Sequence, residues 1–295
     1  MMDNIEIRRL RTVPEFELAV ELQKIYWGDD GEALVPMHML HSLSNHGGHV
    51  LGAFDGDKIV GILVGFIGTD IDYEHPDARP AMANLLIMSK RMVVLPEYRG
   101  ANIGFRLKMV QRDVAIKQGI RLVTWTFDPM LSPNAHLNIR KLGAIVQQYK
   151  QDYFGNTSGQ NLSADRLVVD WWVTHQRVKE RAKGSTSDLS LEQYLEVSAP
   201  IVNRGEFSGA LPKPRSMTDV PQSTFALIEI PKNFREIETQ DSTLAQVWRD
   251  HIREVFVKMF KGGYIVTDFV RGEYEGFDRT FYLLSHDSEQ DHRQN

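Results

Sequence analysis

Residues 93 to 107 read VVLPEYRGANIGFRL. A β-branched run leads into Arg99, Gly100 and Gly104, and an apolar helical pattern begins at once behind them. These residue types at this spacing suit the holding of a phosphate. A helix start leaves its first amide N–H groups unpaired and carries about half a positive charge, so anions settle there. Gly100 and Gly104 keep bulky Cβ atoms away from an approaching pyrophosphate. Arg99 adds a charge-assisted donor.

Two nucleotide motifs fail on this loop. No Lys and hydroxyl pair follows Gly104, as a P-loop requires, and the glycines miss the Rossmann spacing. The stretch resembles instead the Arg/Gln-x-x-Gly-x-Gly/Ala loop with which the GCN5-related N-acetyltransferases (GNAT) hold the pyrophosphate of coenzyme A. Asn102 stands where the first glycine of that motif stands, a mild departure because Asn tolerates left-handed backbone angles. The preceding VVLPEYRG is similar to the family's strand followed by Pro-Glu-Tyr-Arg-Gly. Lys141, Leu142 and Gly143 match its Lys-Leu-Gly signature. The resemblance spans residues 4 to 173 and leaves the C-terminal part without a counterpart.

What the resemblance implies is an acyl-CoA-dependent N-acyltransferase. Acetyl-CoA or another acyl-CoA would be the co-substrate, with no metal. The pyrophosphate would lie on Arg99, Gly100, Ala101, Asn102, Ile103, Gly104 and Phe105. The pantetheine arm would run along Val93 and Val94 between two splayed strands, 90–95 and 121–127, with Asn134 as a further contact or simply a helix cap. In such enzymes backbone donors stabilise the tetrahedral oxyanion and a base takes the amine's proton. The family's usual tyrosine position falls on Ile139, and the strand over 85–95 holds no Asp or Glu. Asp128, Tyr149 and Tyr153 remain as candidates for acid and base. These gaps also keep open a non-catalytic acyl-CoA-binding or regulatory module.

Other polar groups allow more than one reading. His38, His41, His46 and His49 lie close together, yet without a matching carboxylate or cysteine set they read as surface histidines rather than a metal site. Asp70, Asp72, Glu74 and Asp77 form an acidic loop, either solvated or attractive to an amine. Arg204, Arg249 and Arg253 are either solvated charges or partners for a substrate carboxylate. Asn138 is unusual in a helix interior. Of Trp171 and Trp172, at least one belongs in a core.

The elements that position these residues follow from periodicity. Strands are expected at 4–10, 49–54, 58–67, 85–96, 120–127, 145–155 and 165–173, and Asp55-Gly56 marks a hairpin. Helices are expected at 14–26, with Phe16, Val20 and Tyr26 on one face, from Ile103 to Gln118, with Ile103, Leu107, Val110 and Val114 in a stripe, and at 132–144. Charge, Ser, Gly and Pro200, Pro212, Pro214 and Pro221 mark 176–222 as a linker or wrapped segment. Beyond it come a strand at 224–230, an amphipathic helix at 242–260 and strands at 263–270 and 279–285.

The expected fold is therefore α/β (α+β), a mixed, mostly antiparallel sheet with splayed strands between helices, plus a C-terminal α/β extension. The expected division is 1–175, 176–222 and 223–295. A chain of 295 residues exceeds the roughly 250 at which single cores stop growing. Net charge is −5, which argues against a nucleic-acid partner. No apolar run approaches the ~20 residues that span a bilayer. The chain has no cysteine, which excludes disulfides and fits the cytoplasm. A small-molecule amine, an amino acid among the candidates, is the expected acceptor, and a homodimer is compatible with all of this.

Overall fold

The computed structural model describes residues 5–28, 34–69, 84–155, 165–185, 188–207, 209 and 211–286. The acidic loop of Asp70, Asp72, Glu74 and Asp77 lies outside them. The chain divides into two compact units, the first Met1–Trp125 with Trp172–Ala182, the second Thr126–Trp171 with Lys183–Asn295. Among the described residues no helix is long and apolar enough to cross a membrane.

In the first unit, β1 (Ile5–Arg9), β2 (His49–Asp55), β3 (Lys58–Thr69), β4 (Leu85–Val94) and β5, which begins at Leu122 and ends at Phe127, lie in that order. Neighbours are antiparallel except β4 and β5, which run parallel. Asp55 pairs with Lys58 across a tight turn in which Gly56 takes φ +57°, as the hairpin signal predicts. The helices are α1 (Val13–Trp27), α2 (Met37–Asn45) and α3 (Ile103–Lys117). Their apolar faces meet the sheet in one core that includes Phe16, Leu40, Val50, Leu63, Val93, Ile103 and Leu107. This is the expected mixed, mostly antiparallel sheet between helices.

Two helix faces differ from expectation. α1 buries Phe16, Ala19, Leu22 and Gln23, while Val20 is half-buried and Tyr26 exposed. Gln23 takes the inner position because its amide bonds the Val35 carbonyl at 3.1 Å and its carbonyl oxygen accepts the Val35 N–H at 2.9 Å. α3 buries Ile103, Leu107, Lys108, Gln111 and Ala115, leaving Val110 and Val114 half-buried. Polar partners on neighbouring strands let Lys108 and Gln111 displace the valines.

In the second unit the strand order is β7 (Arg166–Trp172), β6 (Ile145–Lys150), β11 (Tyr264–Tyr274), β12 (Phe277–His286) and β10 (Phe225–Ile230). α4 (Ser132–Ala135) runs into a π-helical turn, His136–Lys141, before Gly143 at φ +75°. Segment 176–222 carries α5 (Gln176–Ala182, in the first unit), α6 (Leu191–Glu196) and a small ladder, β8 (Gly205–Glu206) with β9 (Lys213–Pro214). α7 (Phe234–Gln240), absent from the sequence expectation, precedes α8 (Ser242–Lys261). α8 buries Ala245, Trp248, Ile252, Val255, Phe256 and Met259, a helical stripe. Trp171 is the core tryptophan of its pair, fully buried, with its indole N–H on the Leu142 carbonyl at 2.9 Å.

Candidate functional site

The loop after β4 is built to leave amides unpaired. The Leu95 N–H donates to the Val60 carbonyl at 2.9 Å, and Pro96–Tyr98 form one tight turn closed by the Arg99 N–H on the Pro96 carbonyl at 3.1 Å. The Tyr98 hydroxyl donates to Asp55 at 2.8 Å and Lys58 pairs with Glu97 at 3.3 Å, which pins the turn to the β2–β3 hairpin. Gly100 then takes φ +87° and Asn102 φ +61°. A Cβ at Gly100 would meet nothing, so the backbone angle, not space, favours glycine there. Asn102 shows the left-handed angles its position in the motif requires.

Asn102 begins α3 without a side-chain cap, and the first turn of the helix carries no acidic residue. The first helical bond runs from the Arg106 N–H to the Asn102 carbonyl at 3.0 Å, which leaves the amides of Ile103, Gly104 and Phe105 ahead of it. Buried Ile103 fixes the helix start in the core. Arg99 is exposed, its guanidinium 5.4 Å from the centre of the Tyr26 ring. Uncapped amides, a nearby guanidinium and open space over Gly100 fit a phosphate.

Beside the loop, β4 and β5 part. They pair only at Leu86–Leu122, Ile87–Val123 and Met88–Thr124. From Ser89 to Val94, β4 keeps its ladder to β3 and forms none with β5. The β3 register skips Lys90, because Gly65 faces Ser89 and Val64 faces Arg91. Such a bulge bends a strand and re-aims its side chains. The fork expected over 90–95 is present, with Val93 buried and Val94 half-buried along it.

The other expected site residues belong to the second unit. Asn134 is exposed in the first turn of α4, and its N–H donates to the Leu131 carbonyl at 2.9 Å. Leu131, not Asn134, holds the cap position. Ile139 is fully buried. Asp128 accepts the Met130 N–H at 2.9 Å and pairs with Arg249, whose two terminal nitrogens lie 3.2 and 3.0 Å from its oxygens. The Tyr149 hydroxyl donates to Asp165 at 2.7 Å, and Arg253 bonds both oxygens of that carboxylate, at 2.7 and 2.8 Å. Burial first, then Asp165, pushes the Tyr149 phenol up, which holds its proton in place. Tyr153 is exposed in the turn after β6, edge-on to Phe154. Arg249 and Arg253 are thus ion-paired rather than solvated helix charges, and Arg204 pairs with Glu275.

Among the described residues no group of three His, Cys, Asp or Glu could hold an ion. His38, His41 and His46 are exposed, whereas His49, expected at the surface, is completely buried in β2. It joins a polar cluster that sequence reasoning did not anticipate. Lys108, 1% exposed, donates to Ser89 Oγ at 2.8 Å and to Gln111 Oε1 at 3.1 Å, with Nζ 3.4 Å from the Trp125 ring centre. The Gln111 amide bonds His49 Nε2 at 2.9 Å. Burial holds the Lys108 amine well below the usual lysine range. The one sequence signal was a serine inside the apolar run LLIMSKRMVV.

The acetyltransferase (GNAT) family model matches residues 14–143. Comparison with the curated proteins gives no match. Several solved structures are similar. The ribosomal-protein-S18-alanine N-acetyltransferase of Escherichia coli is 13% identical over 58% of this chain and 95% of its own, with a TM-score of 0.42. A GNAT acetyltransferase from Elizabethkingia anophelis, with acetyl-CoA bound, is 13% identical over 58% of this chain and 99% of its own, at 0.40. An aminoglycoside acetyltransferase from an uncultured soil sample is 20% identical over 44% of this chain and 82% of its own, at 0.36. Similarities this distant say nothing of substrate. The loop after β4 and the strand fork both lie inside residues 14–143, the segment that the acetyltransferase (GNAT) family model matches.

Proposed function

We propose that the protein is an acyl-CoA-dependent N-acyltransferase acting on the amine of a small molecule, with an amino acid as the first acceptor to try. The observation that carries this reading is the pairing of an uncapped helix start, reached through left-handed Gly100 and Asn102, with a β4 strand whose ladder to β5 stops at Met88. In this reading the amides from Gly100 to Phe105 and the Arg99 guanidinium take the pyrophosphate. Val93 and Val94 offer backbone groups to the pantetheine amides, and Asn134 is a further contact. The co-substrate supplies an acyl group on a thiol whose pKa is near 8.5 when free, so a leaving thiolate does not depend on a strong acid. Asp128, Tyr149 and Tyr153 stay candidates for proton transfer, although Asp128 and Tyr149 are already engaged in ion-paired networks.

A second reading has its own support. Ile139 is buried in the slot where the family carries tyrosine, and β4 has no carboxylate, which favours a module that binds acyl-CoA without turnover. Calorimetric titration with CoA, acetyl-CoA and succinyl-CoA, repeated on Gly104→Glu, separates the readings when thiol release is followed with a pool of amino acids. Binding that the variant loses, together with thiol release by the wild type, supports the transferase. Binding without release supports the module. No binding of any CoA species removes both.

A further inference from the structure

The buried amine at the fork has a geometry that the family resemblance did not call for. Ser89 is the first β4 residue beyond the last β4–β5 pair, and Trp125 is the first β5 residue beyond it. Lys108 projects from α3 between them, with Nζ on the Ser89 hydroxyl and over the Trp125 ring. Ser89 also borders the bulge at Lys90, a feature common beside active sites. The fork is therefore closed at its base by an amine and a hydroxyl in direct contact.

The groups around Lys108 hold it in a defined orientation. His49 on β2 is buried, and burial, with the nearby charge of Arg9 on β1, brings it down to about 4, so it is neutral at ordinary pH. Its Nε2 accepts from the Gln111 amide, which turns the Gln111 carbonyl oxygen towards Lys108. Ser89 on β4 and Trp125 on β5 complete the surroundings. Lys108 is 1% exposed, Gln111 and His49 0%, and Ser89 7%, so Ser89 is the member best placed to meet a bound molecule.

We infer that Lys108, acting through Ser89, takes the proton from the acceptor's ammonium group at the fork. The inference rests on the acyltransferase reading. With Lys108 neutral the 2.8 Å contact runs the other way, the Ser89 hydroxyl donating to the Nζ lone pair, so that as Ser89 Oγ accepts a proton from the acceptor nitrogen its own proton passes to Nζ. Serine stays neutral, lysine becomes an ammonium and the acceptor becomes a free amine. The amine's lone pair then forms the C–N bond while the C–S bond breaks and sulfur keeps its electron pair. The second nitrogen proton goes to sulfur, and after product leaves Lys108 returns its surplus proton through the Ser89 hydroxyl to water entering the fork. Lys108 is on this account a relay and positioning residue. Burial of its amine without loss of fold is consistent with a group that must be neutral before each cycle.

The test has two arms. In the first, the Cε–Nζ signals of isotopically labelled lysine are followed by NMR from about pH 5 to 10, with and without CoA, and Lys108 is assigned by its loss in Lys108→Met. The expected result is a midpoint well below that of an ordinary lysine, at about 10.4, that moves when CoA binds. In the second, thiol release from acetyl-CoA with the amino-acid pool is compared for wild type, Lys108→Met and Ser89→Ala. Both variants should lose roughly 10²–10⁴-fold at neutral pH, with acetyl-CoA affinity by calorimetry unchanged. The deficit should shrink near the pH at which the acceptor deprotonates itself. A merely structural role would leave the pH profile unmoved.

A Lys108 signal that stays an ammonium over the whole range, or that ignores bound CoA, overturns the inference. So does a Lys108→Met profile that matches wild type. Should Lys108→Met not fold, Lys108→Arg serves for the assignment, and the pH profile of thiol release by Ser89→Ala decides. Failure of the wild type to bind any CoA species instead overturns the acyltransferase reading, and the relay falls with it.

Discussion

His49 shows how strongly burial acts on a single residue. It has no exposed surface, and its Nδ1 finds no hydrogen-bond partner among the described residues. Burial, then the charge of Arg9, lowers it to about 4, against roughly 6.5 in an unfolded chain. A lowered folded pKa means that the unfolded chain binds more protons between these values. Stability from a neutral His49 is thus complete above about pH 6.5, declines as pH falls, and is spent near pH 4. At about 1.4 kcal/mol per unit, the total is about 3 kcal/mol. Urea midpoints of wild type and His49→Gln at pH 7, 5.5 and 4 check this. The variant should flatten the slope across that window, and an unchanged slope would assign the acid sensitivity elsewhere.

At the scale of elements, the first turn of α1 depends on one carboxylate. Glu15 accepts the Arg11 N–H at 2.8 Å and the Thr12 N–H at 3.0 Å, and pairs with Arg8. Burial works to raise the Glu15 pKa, but the Arg11 and Thr12 amides and the Arg8 side chain outweigh it and bring it down to about 2. With the folded pKa below the unfolded one, the stabilisation is present above about pH 4.3 and is lost as pH falls toward about 2. Glu15→Gln should cost about 1 kcal/mol at neutral pH, the usual worth of a cap. It should also remove that acid-dependent component, as read from denaturant unfolding at pH 7 and pH 3. Equal losses at both pH values would show that the charge is irrelevant to the cap.

At the scale of the molecule, the second unit is tied together by ion pairs between residues distant in sequence. Arg249, with a side chain 6% exposed, holds both Asp128 and Glu238. Arg140 joins Asp268 at 2.6 Å and Asp188 at 3.4 Å, and Arg279 holds Glu229 at 3.1 Å. Removing one partner of such a pair strands the other charges away from water, which typically costs about 3–5 kcal/mol. Arg249→Met should therefore lower stability by that amount in urea unfolding. Adding Asp128→Asn should recover part of the loss, since it removes a stranded carboxylate. A loss below about 1 kcal/mol would place the cluster in the weak class of solvated surface pairs.

The sequence by itself determined the left-handed loop ahead of α3, the main strands and long helices, the β2–β3 hairpin and the presence of a core residue in the pair Trp171 and Trp172. These depend on local rules. Gly100 and Asn102 permit left-handed angles, Gly56 closes a short turn, and a helical stripe marks α8. Only the tertiary structure decided which charges and polar groups are buried together. Ser89, Lys108, Gln111, Trp125 and His49 come from four elements, and no spacing rule joins His49 to Gln111 across 62 positions. The stripe of valines on α3 gave way to Lys108 and Gln111 because partners on β2 and β4 satisfied them. Asp128 and Tyr149 suggested proton transfer in sequence, but the fold places Arg249 and Asp165 against them. A polar side chain's role is set by the groups that replace its water, and the fold selects those groups.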